Sequence, residues 1–297
     1  MMTEYDLKPV SVRQLKNGMW IVLAEDTTPL VVDEAFARAL TEHGALSAYD
    51  DALSILKDNG FYKEVSSEIK SLPKEPSSLN WKISMYLLFI IGLMSAMVAF
   101  ILTAFNGLFT GIDIMNAPTP VFITIPFIII FSLATTLVHE FMHVVFARSH
   151  RSMFGGIRLK FLQAKAYVSM THIWVWPLTA RLAALSAGLV FDFFLLASLL
   201  IIQLFTTNGL LATAISIQWL RITWQFRFHK NCDGQLMALS ILDNPTVAIE
   251  KTDHSIRDVR MWRRFEIIGH LVNLFIFIYW IFPLLWMLTA NLFNFFS

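Results

Sequence analysis

The chain of 297 residues is 56% hydrophobic and only 15% charged, with a mean hydropathy of +0.59 and a formal net charge of +1 at pH 7. That is far more apolar than a soluble domain of this size needs, so an integral membrane protein is expected, and the balanced charge gives no reason to propose nucleic acid as a partner. Its one cysteine, Cys232, rules out an intramolecular disulfide and a cysteine-rich zinc site, which leaves His and carboxylate side chains as the ligands open to a bound metal.

The polar opening Met1-Met2-Thr3-Glu4-Tyr5-Asp6 lacks the basic and apolar regions of a signal peptide, and the N-terminus is expected in the cytoplasm. Charges are frequent from there to the linker, which predicts a small cytoplasmic α+β domain over residues 1–78. Val10 to Leu15 and Trp20 to Ala24 read as short strands joined around Asn17-Gly18. Helical periodicity runs from Asp33 to Glu42 after the turn signal Thr27-Thr28-Pro29, and a second helix is expected from Tyr49 to Asp58, stopped by Asn59-Gly60. Two strands, helices and a return segment resemble the small winged-helix-like domains that bind leader peptides in ribosomal-peptide maturation. A cap that stabilises the membrane part or meets a partner subunit is the competing expectation. Leu72-Pro73-Lys74-Glu75-Pro76-Ser77-Ser78 reads as the linker into the membrane.

Residues 79–297 are expected to be an α-helical polytopic membrane domain. Apolar runs long enough for about 30 Å of hydrocarbon fall near residues 81–105, 121–147, 182–205, 210–228 and 265–288, which predicts about five transmembrane helices. The 106–120 and 206–209 loops contain no Lys or Arg. Arg148, Arg151, Arg158, Lys160, Lys165 and Arg181 cluster after the second run, and Lys251, Arg257, Arg260, Arg263 and Arg264 precede the fifth. The positive-inside rule then puts the N-terminus inside and the C-terminal tail outside a multi-pass cell-membrane protein.

His139-Glu140-Phe141-Met142-His143 lies in the second run, where two imidazoles and a carboxylate are expensive and therefore point to a function. Residues four apart on a helix share a face one turn apart, close enough for His139 and His143 to hold one tetrahedral zinc. Glu140 then sits beside the metal as general base, the arrangement of HExxH metalloproteases. Chance alone produces HExxH in about one such chain in a hundred, so the motif takes its weight from its setting.

Two histidines leave a catalytic zinc one protein ligand short. The fourth run ends in Arg227-Phe228-His229-Lys230-Asn231-Cys232-Asp233-Gly234, which brings Asp233 to the same membrane face. Asp233 is the preferred third ligand and His229, four residues earlier, its competitor. Gly234 would let the backbone turn or pack closely, and Asn231 is a candidate for steadying an oxyanion. Glu266 and His270, also four apart, read as interfacial hydrogen-bonding residues, with a supporting contact to a ligating His as the alternative. Residues 157–161 and 164–171 alternate in the period of a strand and predict an interfacial hairpin that could hold an extended peptide, or an amphipathic segment anchored by Trp174 and Trp176.

With HExxH on one membrane helix and a later Asp-Gly, the stretch of about residues 120–240 resembles the site-2 protease family of intramembrane zinc metalloproteases. Ala187-Gly188-Leu189 is similar to the family's small-residue motif, with Asp192 where an Asn commonly falls, and the Asn-Pro that commonly precedes Asp-Gly is replaced here by Asn231-Cys232. The resemblance implies one zinc per chain on His139, His143 and Asp233, with Glu140 as the catalytic base. It also implies cleavage of a peptide or membrane-protein substrate near the cytoplasmic face of the bilayer. The closest subgroup in appearance is the peptide zinc metalloproteases of bacterial ribosomal-peptide operons, which adds a peptide-export transporter as an expected partner. A non-proteolytic transporter or immunity protein that binds a peptide or an ion is the alternative class.

Overall fold

Gly18 takes φ 85°, a left-handed conformation that costs glycine least, and reverses the chain between the first two strands. The computed structural model describes residues 7–41, 52–62, 72–148, 170–229, 232–248, 257–286 and 289. In it β1 (Ser11–Gln14) pairs antiparallel with β2 (Trp20–Leu23), and β2 pairs antiparallel with β3 (Leu30–Val32). The third strand was not expected. It is three residues long and follows Pro29, too short to display a period of two, and pairing of Trp20 with Val32 and Val22 with Leu30 defines it. Helices α1 (Glu34–Thr41) and α2 (Ala52–Asp58) follow, and Leu7 bridges Tyr62 to close the unit. Residues 49–51 of the expected second helix lie outside the described residues.

Successive residues of β2 face opposite ways, as strand geometry requires. Val22 packs with Ala37, Leu40, Leu56 and Phe61, whereas Ile21 joins Leu15, Trp174, Leu239, Val259 and Trp262. The sheet is thus held between its own two helices and the remainder of the chain.

Ser78 opens the membrane part, its Oγ accepting from the Trp81 amide at 3.3 Å to cap α3 (Leu79–Asn106). The short α4 (Gly111–Met115) precedes α5 (Val121–Ala147). A 3₁₀ turn at Thr171–Val175 leads into α6 (Leu178–Gln203), α7 (Gly209–Gln225), α8 (Asp233–Leu242) and α9 (Arg257–Ile276). A π-helical turn, Phe277–Ile281, extends α9. Among the described residues, four helices are long and apolar enough to cross a membrane: α3, α5, α6, and α9 with its extension to Trp286.

Five crossings were expected, and the difference lies in α7. It has 17 residues, about 25 Å at 1.5 Å per residue, at the lower limit for a span, and Thr213, Ser216 and Gln218 on it are buried. The expectation of a C-terminal tail opposite the N-terminus counted this helix as a crossing.

Helix α6 forms the centre. Its small residues Ala180, Ala183, Ala184, Ala187 and Gly188 are buried and allow neighbouring helices to approach closely. Helix α5, by contrast, exposes Phe122, Ile129, Ile130, Leu133 and Phe141, an apolar face fitted to lipid. Trp174 and Trp176 are not interfacial anchors. Both are buried, and the Trp176 indole N–H donates to Pro73 O at 2.9 Å, tying the linker to the start of α6. The expected hairpin falls almost wholly outside the described residues, and Thr171, its last residue, begins the 3₁₀ turn.

Candidate metal centre

His139 and His143 lie within the last three turns of α5, about 6–12 Å of helix rise from its end. Both are buried and face α6, and Ala184, Gly188 and Asp192 of α6, four residues apart, line the opposing face. A β-carbon built on Gly188 would lie 2.5 Å from Nε2 of His139, so the glycine makes room for that ring. Asp192 Oδ2 lies 2.8 Å from His139 Nδ1, and Ala184 O lies 2.8 Å from His143 Nδ1.

Asp233, the first residue of α8, closes the cluster. Its Oδ2 is 3.0 Å from His139 Nε2 and 3.2 Å from His143 Nε2, and the two Nε2 atoms are 3.2 Å apart. The Asp233 amide donates to Gln225 Oε1 at 3.2 Å. A β-carbon on Gly234 would meet Gln225 O at 2.4 Å, so this glycine serves a close approach of α8 to the end of α7 and not a turn.

The outer hydrogen bonds decide what the inner atoms can do. Ala184 O can only accept, so His143 Nδ1 carries the proton, and Nε2 of the neutral ring is left as a bare acceptor. His139 follows the same logic with Asp192 as its acceptor. Two bare nitrogens and a carboxylate oxygen thus converge within 3.2 Å of one another, an arrangement that repels unless a cation or an extra proton lies among them. His139, His143 and Asp233 are the residues that could hold a metal ion, and theirs is the one such group among the described residues.

Asp192 is itself held from α7. Gln218 Nε2 donates to Asp192 Oδ1 at 2.8 Å, and Arg221 Nη2 lies 3.3 Å from the same oxygen. Arg221 also donates to Thr136 Oγ1 at 2.5 Å, one turn before Glu140 on α5. Glu140 is half-buried and within electrostatic range of His143, His139, Asp233 and Arg221.

The other sequence candidates fall elsewhere. His229 is exposed and outside the cluster, and Asn231 lies outside the described residues. Glu266 Oε1 accepts from the Trp262 indole at 3.1 Å and His270 is exposed, so the supporting contacts to the histidines come from Asp192 and Ala184. Sequence reasoning passed over the roles of Asp192, Gln218 and Arg221. The available signal was an acidic residue in mid-run, which in hydrocarbon demands a partner. His172 is also buried: its Nε2 lies 2.6 Å from Ala147 O at the end of α5, and burial pushes this imidazole below its ordinary pKa.

Compared with known protein families, curated proteins and solved structures, the chain matches none.

Proposed function

We propose that the chain is a membrane-embedded zinc endopeptidase of the site-2 protease type, cleaving a membrane-associated or precursor peptide near one face of the cell membrane. The observation that carries this reading is the convergence of His139 Nε2, His143 Nε2 and Asp233 Oδ2 at separations of 3.0–3.2 Å. Tetrahedral zinc with arms of about 2.0–2.1 Å separates its donors by about 3.3–3.4 Å, so the donor set suits that ion in chemistry and would open by about 0.1–0.4 Å to admit it. Three protein donors leave a fourth position for water or substrate, the pattern of catalytic sites.

Zinc bound there would polarise the scissile carbonyl and make water a usable nucleophile at neutral pH. Glu140, adjacent to His139 and unclaimed as a ligand, takes the proton of the attacking water and delivers it to the departing amine nitrogen. Water adds to the carbonyl carbon, the C–N bond breaks, and a carboxylate and an amine result. Asp192, fixed by Gln218 and Arg221, keeps His139 in the tautomer that presents Nε2. The exposed apolar face of α5 would give a lipid-borne peptide access to this helix.

Incubation of the purified protein and its Glu140→Ala variant with membrane-anchored and precursor peptides, read by mass spectrometry beside a metal analysis, tests the proposal. Cleavage by the wild type alone, with one zinc per chain in both, is expected. A metal-free protein that still binds peptide would instead belong to the transporter or immunity class.

A further inference from the structure

Asp243 lies at the opposite end of α8 from Asp233. It is the helix C-cap, in a left-handed conformation at φ 57°, and only 4% exposed. Its carboxylate gathers donors from two distant parts of the chain. Arg13 of β1 reaches it with both arms, Nη2 to Oδ1 at 2.7 Å and Nη1 to Oδ2 at 3.0 Å, and the Lys16 amide donates to Oδ2 at 3.2 Å. Arg181 of α6 meets Oδ1 at 2.8 Å, with its guanidinium 5.4 Å over the Trp174 ring. Two further bonds complete the joint: Arg13 Nε donates to Trp174 O at 2.8 Å and Lys16 Nζ to Ile241 O at 3.0 Å.

This joint fixes one end of a ten-residue helix whose other end, about 15 Å away, is the third donor of the metal centre. Arg181 belongs to α6, the helix that supplies Ala184 O, Gly188 and Asp192 to the two histidines. Asp243 therefore sets α8, and with it Asp233, in the same frame as His139 and His143. Arg13 and Lys16 bring the N-terminal sheet into that frame.

We infer that Arg13 is a positioning residue for Asp233, acting through Asp243 and the length of α8. Its functional meaning rests on the reading of Asp233 as a metal ligand; the mechanical coupling does not. The N-terminal sheet is then part of the scaffold of the membrane site and not a module that merely hangs from the linker. Without Arg13, Asp243 keeps Arg181 and the Lys16 amide as partners, so the buried charge stays balanced while the two-armed tie to β1 is lost. The end of α8 gains freedom, and the donor separations at Asp233 widen.

Cys232 provides a readout that needs no metal when taken on chelator-stripped protein, because this one cysteine of the chain is buried and immediately precedes Asp233. The test uses the full chain in detergent as wild type, Arg13→Ala, Arg13→Lys and Arg38→Ala, the last removing only the exposed pair with Glu34 on α1. Alkylation of Cys232 by a small maleimide and binding of Co²⁺, with its visible spectrum, are measured on each. Arg13→Ala should speed alkylation about fivefold or more and weaken Co²⁺ binding about tenfold with an altered spectrum. Arg13→Lys should recover part of both, and Arg38→Ala should match the wild type.

Wild-type alkylation in Arg13→Ala overturns the inference, as does equal acceleration in Arg38→Ala, which would mark general loosening. Should Arg13→Ala not fold, Arg13→Lys decides, since it keeps the charge and loses only the two-armed geometry; wild-type alkylation in it is then the overturning result. If the wild type takes up no Co²⁺, the metal reading falls and the alkylation series alone decides the coupling.

Discussion

Gly188 of α6 faces His139 of α5 so closely that a single added methyl group would lie 2.5–2.7 Å from three atoms of the imidazole. Gly188→Ala should therefore displace the ring proposed to bind metal while favouring the helix that carries the change, because alanine exceeds glycine in helix propensity by about 1 kcal/mol. Metal affinity should fall by about tenfold or more with helix content unchanged. Competition titration against a chromophoric chelator, beside circular dichroism, checks both halves. Undiminished affinity would show that His139 does not depend on this gap.

Asp192→Ala should weaken metal binding by about 10–100-fold, the usual cost of losing the acceptor behind a ligating histidine. Asp192→Asn should fall between, since its amide oxygen still accepts from His139 Nδ1 while the charge facing Arg221 is gone. The same titration ranks the three proteins, and a ranking with Asn below Ala would contradict this role.

The third donor is separable from its sequence neighbour. Asp233→Ala should lose most metal affinity, whereas His229→Ala should stay within about twofold of the wild type, because His229 is exposed and away from the cluster. Metal content after dialysis distinguishes the two variants. The reverse pattern would reassign the ligand.

Chelation should lower the melting temperature of the wild type and not that of His139→Ala. Free metal at 100 times its dissociation constant stabilises a folded protein by about 2.7 kcal/mol, roughly 5–10 °C for a domain of this size. Equal shifts in both proteins would place the stabilising ion elsewhere.

Docking of the N-terminal sheet should depend on acid in a particular direction. Burial alone would raise the Asp243 carboxyl, but hydrogen bonds from Arg13 and the charge of Arg181 outweigh it and hold the group below its ordinary value. A carboxyl depressed on folding stabilises fully above its unfolded pKa of about 3.9, and the contribution disappears as the pH falls through the lower folded value. The linker before α3 should resist protease from pH 8 to 5 and become susceptible below about pH 4. Asp243→Asn should flatten that profile, and loss of protection between pH 8 and 6 in the wild type would exclude this carboxyl as its cause.

The local parts of this architecture were legible in the sequence and the relations between parts were not. His139 and His143 announce themselves because four-residue spacing needs only one helix, whereas Asp233 is preferred over His229 on the end of the fourth run, the precedent of two histidines with one carboxylate, and the family resemblance. Gly188 reads as a packing residue from its neighbours Ala184 and Ala187, but the ring that it admits belongs to a helix some 50 positions earlier. Leu15 and Ile21 look like the inner face of a small domain, yet they pack on Trp174, Val259 and Trp262, which no periodicity links to them. The extent of helix α7 was hidden for a related reason. Its composition is apolar enough to suggest a full crossing, and only the positions of Asn208 and Phe226 at its ends reduce it to the lower limit of spanning length.

The joint between Arg13 and Asp243 also places a demand on time. The two residues are separated by 230 positions, and synthesis at about 5–20 residues per second puts roughly 10–50 s between their emergence. His139 likewise waits 94 positions for Asp233. The sheet's anchoring carboxylate is made only after α3, α5 and α6, so the centre is completed late, and a partly synthesised chain carries no finished site.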